Sequence, residues 1–169
     1  EPWQSNDLDL DLSSARPYVV NTWRKVELRA EQLVVPARHW ATLDYRTIES
    51  PDVAADVTWP IDTAATSHGL AVWFDADLYE GIGFSNAPGD TALIYGQAFF
   101  PWSDPVALEV GDTVTVKLRA DLVNDDYTWT WSIDIHPRSG RPSVSQRQST
   151  FKSGLIPADS LRRQEAGHV

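Results

Sequence analysis

The chain has 169 residues, with 14 Lys+Arg against 24 Asp+Glu and a net charge of −10. That is one domain's worth of chain, and 42% hydrophobic with 22% charged residues is a folding composition rather than a disordered one. The absence of cysteine excludes a disulfide framework, a thiolate zinc site and a cysteine nucleophile, and a pI near 4.7 argues against nucleic-acid partners, which need a basic face to neutralise phosphates. No apolar run approaches the ~18–20 residues of a membrane span. No basic-then-apolar leader opens the sequence, so a cytoplasmic location is expected.

Methionine is absent and the sequence opens Glu1-Pro2-Trp3, which reads as a processed product or a fragment of a longer chain. There is no G-x-G-x-x-G and no G-x-x-x-x-G-K-[ST]. No cofactor-binding residue is therefore expected in this chain, and any cofactor chemistry has to come from elsewhere.

Taken in order, residues 1–20 read as a linker or edge segment. Asp7-Leu8-Asp9-Leu10-Asp11-Leu12 alternates with the period of a strand. Asp has poor strand propensity and repels its like neighbours, which favours the linker. A β domain is expected over 21–154. Its first strand spans Thr22 to Leu28. Glu31-Gln32-Leu33-Val34 then continues it or makes a helical turn, ended by Pro36. Further strands are predicted over Trp40–Ile48 and Val53–Ile61. His68 to Leu78 holds the strongest apolar run and is expected to be one central strand. Another strand runs from Ala92 to Phe100. Thr113–Ala120 and Tyr127–Ile135 both alternate cleanly about the turn Asn124-Asp125-Asp126, the clearest hairpin signal in the chain. An edge strand over Val144–Phe151 follows. Residues 155–169 are expected to be a C-terminal helix and tail, with Pro157 near the helix start and Gly167 just beyond its end. So many short strands without long helices predict a mainly β protein, an antiparallel barrel or sandwich of about 8–10 strands with a short C-terminal helix.

Chemistry-bearing residues are sparse. His39, His68, His136 and His168 have no spacing that would make them converge on a metal, and no G-x-S-x-G elbow supplies a serine nucleophile. No catalytic and no metal-binding residue is assigned. Asp75 and Asp77, two apart, share one face of a strand, as paired glycosidase carboxylates do; an exposed strand end explains them as well. Eight tryptophans suggest a sugar platform, yet Trp129 and Trp131 share a face opposite Thr128, Thr130 and Ser132, which is a core pattern. Only Trp3 and Trp102, the latter beside Pro101, are expected in exposed loops.

One set of segments resembles a known family. His68-Gly69-Leu70-Ala71-Val72-Trp73-Phe74, then Gly83-Phe84-Ser85-Asn86-Ala87-Pro88, then Gln97-Ala98-Phe99-Phe100, then Val110-Gly111-Asp112, is similar to the C-terminal β-barrel domain of protein arginine methyltransferases. The resemblance reaches at its widest from Trp40 to Ile135. It implies an S-adenosylmethionine-dependent methyltransferase of bacterial type whose barrel forms the substrate side. It also implies a missing N-terminal Rossmann-like domain as partner and holder of the S-adenosylmethionine, and a protein or small-molecule methyl acceptor. The sequence departs from the family where a Thr-His-Trp triplet precedes the Lys-Gln pair, for Leu93-Ile94-Tyr95 stands there. Ser85, Asn86, Leu93, Ile94 and Tyr95 are the expected substrate-cleft or interdomain residues. The alternative from residue type alone is a stand-alone carbohydrate- or ligand-binding β-sandwich.

Overall fold

A computed structural model describes residues 10–91 and 93–152. Its strands are β1 (Arg24–Val26), β2 (Val53–Pro60), β3 (Ala65–Val72), β4 (Asp75–Tyr79), β5 (Ile82–Ser85), β6 (Gln97–Leu108), β7 (Thr113–Val123), β8 (Asp126–His136) and β9 (Val144–Ser149). All pairings are antiparallel. β2-β7-β8-β9 make one sheet, β1-β6-β3 a second, and β4-β5 a separate hairpin.

The core follows from period-two patterning. Val114, Val116, Leu118 and Ala120 of β7, with Trp131, Ile133 and Ile135 of β8, point inward and are buried, while Lys117, Arg119, Thr130 and Ser132 take the outer face. Phe100 and Trp131 have no exposed surface, and their rings meet edge to face at 5.2 Å. The Trp131 indole N–H donates to the Pro101 carbonyl at 2.9 Å, which satisfies the one polar atom that this ring buries.

β6 joins the two sheets. Its partners on β3 are Gly69↔Pro101 and Ser67↔Val106, so residues 102–105 bulge against the single residue His68. At the bulge, Ser103 and Asp104 meet β9 instead: Gln146 exchanges hydrogen bonds with the Asp104 backbone at 3.0 and 3.1 Å, and Gln148 donates to Ser103 Oγ at 2.9 Å. This explains how a strand accommodates Pro101 and Pro105. It also corrects the loop expected at Trp102, which lies within β6 at 4% exposure with its indole N–H on Ser67 Oγ. β2 and β3 end their sheets without pairing to each other, so the barrel is not closed by backbone ladders.

Three further expectations change. The segment 1–20, read as a linker or edge strand, is helical over most of its described part: a 3-10 turn (Ser13–Ala15) leads into α1 (Arg16–Val20), with Pro17 in its first turn. Arg16 ties α1 to the Ser103 carbonyl and the Asp104 carboxylate, and Asn21 accepts from Ser149 N–H at 2.9 Å. Residues 40–48 form no strand. Asp44 turns the chain by accepting from Arg46 N–H, and Trp40 packs on Trp129 while donating to the Leu118 carbonyl, so Trp40 covers the core without joining a ladder while Leu43, Tyr45 and Ile48 stay exposed. The run from His68 to Leu78 is two strands, not one central one, because β3 ends at Val72 and the chain turns away at Trp73-Phe74 into β4. The C-terminal helix expected over 157–166 lies outside the described residues. No described helix is long and apolar enough to cross a membrane.

Candidate functional site

The β4–β5 hairpin and the segment that follows it stand outside the two main sheets. The hairpin turns through Glu80-Gly81, both at positive φ (20° and 81°), a geometry that glycine tolerates best. Its strands close tightly because position 83 is glycine: a Cβ there would stand 2.4 Å from the Ala76 carbonyl oxygen. A two-stranded hairpin is marginal alone, and this one is held by a buried polar brace. Asn86 Oδ1 accepts from Phe74 N–H at 2.9 Å, and its Nδ2 donates to the Gly96 carbonyl at 2.7 Å. Gln97 Nε2 donates to the Asn86 carbonyl at 2.7 Å, while Gln97 Oε1 accepts from Leu28 N–H at 2.8 Å. The hairpin base is thereby tied to β1 and β6.

Over that brace lies an aromatic cluster. Tyr95 stacks on Phe84 at 5.8 Å and meets Phe74 edge-on at 5.7 Å, with Phe74 and Phe84 themselves 5.6 Å apart. The rings sit at the surface, Tyr95 being 53% exposed, and beside them Ile94 is 81% exposed. Toward the hairpin tip Leu78, Tyr79 and Ile82 are each more than 60% exposed. Scattered exposed apolar residues need no explanation, but this many on one small hairpin and its neighbouring segment make it the candidate contact surface.

Of the expected site residues, the structure sets Ile94 and Tyr95 on this surface and leaves Leu93 half-buried behind them. Ser85 turns its hydroxyl back to accept from Ala87 N–H at 3.0 Å. Asn86 is buried and its amide is spent on the brace, so it positions the segment without presenting a side chain. Asp75 and Asp77 are exposed on β4, opposite Ser85 and Gly83. Among the described residues no group of three His, Cys, Asp or Glu side chains converges to hold a metal. The surface suits packing and positioning better than proton transfer. Sequence reasoning missed Phe74, Leu78, Tyr79 and Ile82. The available signal was apolar residues flanking the Glu80-Gly81 turn, where polar ones are the rule.

An open antiparallel barrel of two linked sheets, with an apolar hairpin displayed at its side, defines the class. The model of a family described as the arginine methyltransferase oligomerization subdomain matches residues 1–135. The chain belongs to this family, as the C-terminal barrel domain. A 63-residue stretch is 35% identical to an arginine N(omega)-methyltransferase of Streptomyces achromogenes subsp. streptozoticus, covering 35% of this chain and 18% of that protein. Among solved structures, one titled as the Trypanosoma brucei PRMT1 enzyme-prozyme heterotetrameric complex with AdoHcy aligns with a TM-score of 0.69 at 14% identity, over 87% of this chain and 50% of that one. Arabidopsis thaliana protein arginine methyltransferase 10, in an open conformation, aligns at 0.64 and 18% identity, over 83% and 45%. These two show a shared fold. The chain spans about half the length of the solved proteins and less than a fifth of the curated relative.

Proposed function

We propose that this chain is the substrate-side barrel of a bacterial, cytoplasmic arginine methyltransferase whose catalytic half is a Rossmann-like domain upstream of residue 1. The observation that carries the proposal is the family match across residues 1–135, and the Streptomyces relative supports the bacterial part. In this reading 21–154 is the barrel domain, 1–20 joins it to the upstream domain, and 155–169 forms its C-terminal extension.

S-adenosylmethionine would supply an electrophilic methyl group from the upstream domain. The described residues of this chain do not fit it, for they offer no strand–glycine–helix junction of the kind that holds such a nucleotide, α1 being only five residues long. What this chain contributes is a wall. The apolar tip of the hairpin, Ile94 and the Phe74–Phe84–Tyr95 cluster pack against the catalytic domain and exclude water from the cleft. Tyr95, its ring fixed by two neighbours, turns a hydroxyl toward the acceptor. Ile94 stands where the family has a histidine and its side chain can form no hydrogen bond, so the acceptor's guanidinium is oriented by the upstream domain and by Tyr95. The acceptor is arginine, free or within a protein, and the family's description supports self-association of the parent enzyme. A carbohydrate-binding module is not favoured, since Trp129 and Trp131 turn toward the core.

Expression of the full reading frame tests this. The joined protein should bind S-adenosylmethionine and move labelled methyl groups to arginine or an arginine peptide, while the isolated chain should show neither property by calorimetry or transfer assay. One-to-one micromolar binding of S-adenosylmethionine by the isolated chain would overturn the division of labour. A joined protein that binds the donor but methylates neither acceptor would overturn the substrate.

A further inference from the structure

A polar cavity of about 420 Å³ opens on the outer face of the β2-β7-β8-β9 sheet, and Asp56, Lys117, Ser132, Asp134 and Arg147 are among its lining residues. That volume falls within the range of small-molecule sites, about 300–1,000 Å³. Register explains the shape. Asp56↔Lys117, Lys117↔Ser132 and Ser132↔Arg147 are directly opposed, so these four side chains form one row across four strands. Ser132 contributes a short side chain to the middle of the row, and the long chains of Lys117 and Arg147 flank it. Asp134 follows two residues further along β8 on the same face, about 7 Å away. None of the lining residues belongs to the β4–β5 hairpin or to the segment that follows it.

Most charges on this face are matched. Arg119 holds Asp121 at 2.6 Å, and Lys117 reaches Asp56 at 3.7 Å. Arg147 and Asp134 are the exceptions, for neither forms an ion pair among the described residues. They are diagonal neighbours across the β8–β9 ladder and do not meet. Asp134 Oδ1 accepts from Ser145 Oγ at 2.7 Å, while the Ser132 hydroxyl has no partner among the described residues. The cavity thus presents an unpaired cation beside a free hydroxyl and, one step along the strand, an unpaired carboxylate. A simple anion gains Arg147 but is repelled by Asp134, and a simple cation meets the reverse. A solute that carries both charges satisfies both groups. The step of about 7 Å from Ser132 to Asp134 matches the span between the carboxylate and the side-chain cation of arginine or lysine. In glycine the two charges stand much closer. We propose that this cavity binds a free basic amino acid, its carboxylate on Arg147, Lys117 and the Ser132 hydroxyl and its side-chain cation on Asp134. The α-ammonium faces water at the exposed side of the row. This site is separate from the proposed acceptor cleft and needs no upstream domain.

Titration of the full 169-residue chain with free arginine, followed by amide NMR shifts, tests this. Exposed charge contacts are individually weak, so saturation is expected with a Kd of about 1 mM and with shifts centred on Ser132, Asp134 and Arg147. Arg147→Gln and Asp134→Asn should each weaken binding about fivefold. Both positions lie on the outer face, so melting temperature should stay within about 2 °C of the parent. Glycine should bind about fivefold more weakly than arginine, because its cation cannot reach Asp134. Four results overturn the proposal. One is no saturation by about 20 mM arginine. Another is glycine, acetate or inorganic phosphate binding as tightly as arginine, which makes the cavity an anion site. A third is parent-like affinity in either folded variant. The last is saturable shifts centred on Ile94 and Tyr95, which places the arginine in the acceptor cleft instead.

Discussion

The β7–β8 hairpin and the β4–β5 hairpin use the same tight-turn architecture to opposite ends. In β7–β8 the inward positions Val114 to Ala120 and Trp131 to Ile135 are apolar and buried, the outward ones between them are polar, and the neighbours β2 and β9 cover both edges. In β4–β5 the apolar residues face water, neither edge is paired to a sheet, and the element is held by the Asn86–Gln97 brace and three surface rings. The first hairpin is complete within this chain. The second carries apolar residues that this chain leaves exposed, and that difference is why the proposed interface is placed on this side of the barrel.

The largest contrast is expected in stability. Trp131→Ala removes a fully buried ring with its hydrogen bond and should cost about 3–5 kcal/mol in urea unfolding, whereas Tyr95→Ala, on the surface cluster, should cost less than ~1 kcal/mol. Similar losses for the two would erase the distinction between core and display. Next in size is the brace. Asn86→Leu leaves Phe74 N–H and the Gly96 carbonyl without partners and should cost about 1–3 kcal/mol. Faster amide exchange should then be confined to residues 74–97 and leave β7–β8 unchanged; an equal loss of protection in both hairpins would mean that the brace is not local.

Acid sharpens the comparison from the core side. Burial pushes the Asp112 carboxyl up, but the Glu109 N–H at 2.9 Å and the Arg141 guanidinium outweigh it and hold the group below its ordinary value of 3.8. A carboxylate whose folded pKa is depressed contributes stability in full above the unfolded pKa and loses it as pH falls through the folded one. Melting temperature should therefore be flat with respect to this group above about pH 4 and fall on further acidification, more steeply in the parent than in Asp112→Asn. Matching acid limbs in the two proteins would remove Asp112 from the account of acid unfolding. The smallest effect on the isolated chain is expected from Leu78→Ser with Ile82→Ser, within ~0.5 kcal/mol for exposed positions. In the joined protein the same pair should weaken docking of the two domains and lower methyl transfer. Undiminished transfer would show that the hairpin tip does not contact the catalytic half.

The core was legible because alternation is local: Trp129, Trp131, Ile133 and Ile135 announce their face within one strand. The family was legible from Gly83-Phe84-Ser85 and Gln97, whose backbone and brace roles tolerate few substitutes. β6 was not fully legible, since two prolines argue against a strand until a bulge and a change of sheet partner supply the reason. The segment 40–48 has strand composition but pairs with no strand, for Trp40 packs on the core and Asp44 turns the chain, so tertiary context overrode propensity. Of the candidate site, Ile94 and Tyr95 were reached by counting back from Gln97, and both are exposed. Asn86 was expected as a substrate-cleft or interdomain residue, and its burial follows from partners 10 and 12 residues away that no local pattern reveals.

The central claim is that the face comprising Ser85 to Tyr95 and the β4–β5 hairpin is completed by the upstream catalytic domain. Amide hydrogen exchange in the isolated 169-residue chain and in the joined protein tests it most directly. The account predicts slower exchange at Ser85–Tyr95 and at Leu78–Ile82 in the joined protein, with β7 and β8 unchanged. Equal exchange across this face in both proteins, with protection appearing elsewhere on the barrel, would contradict it.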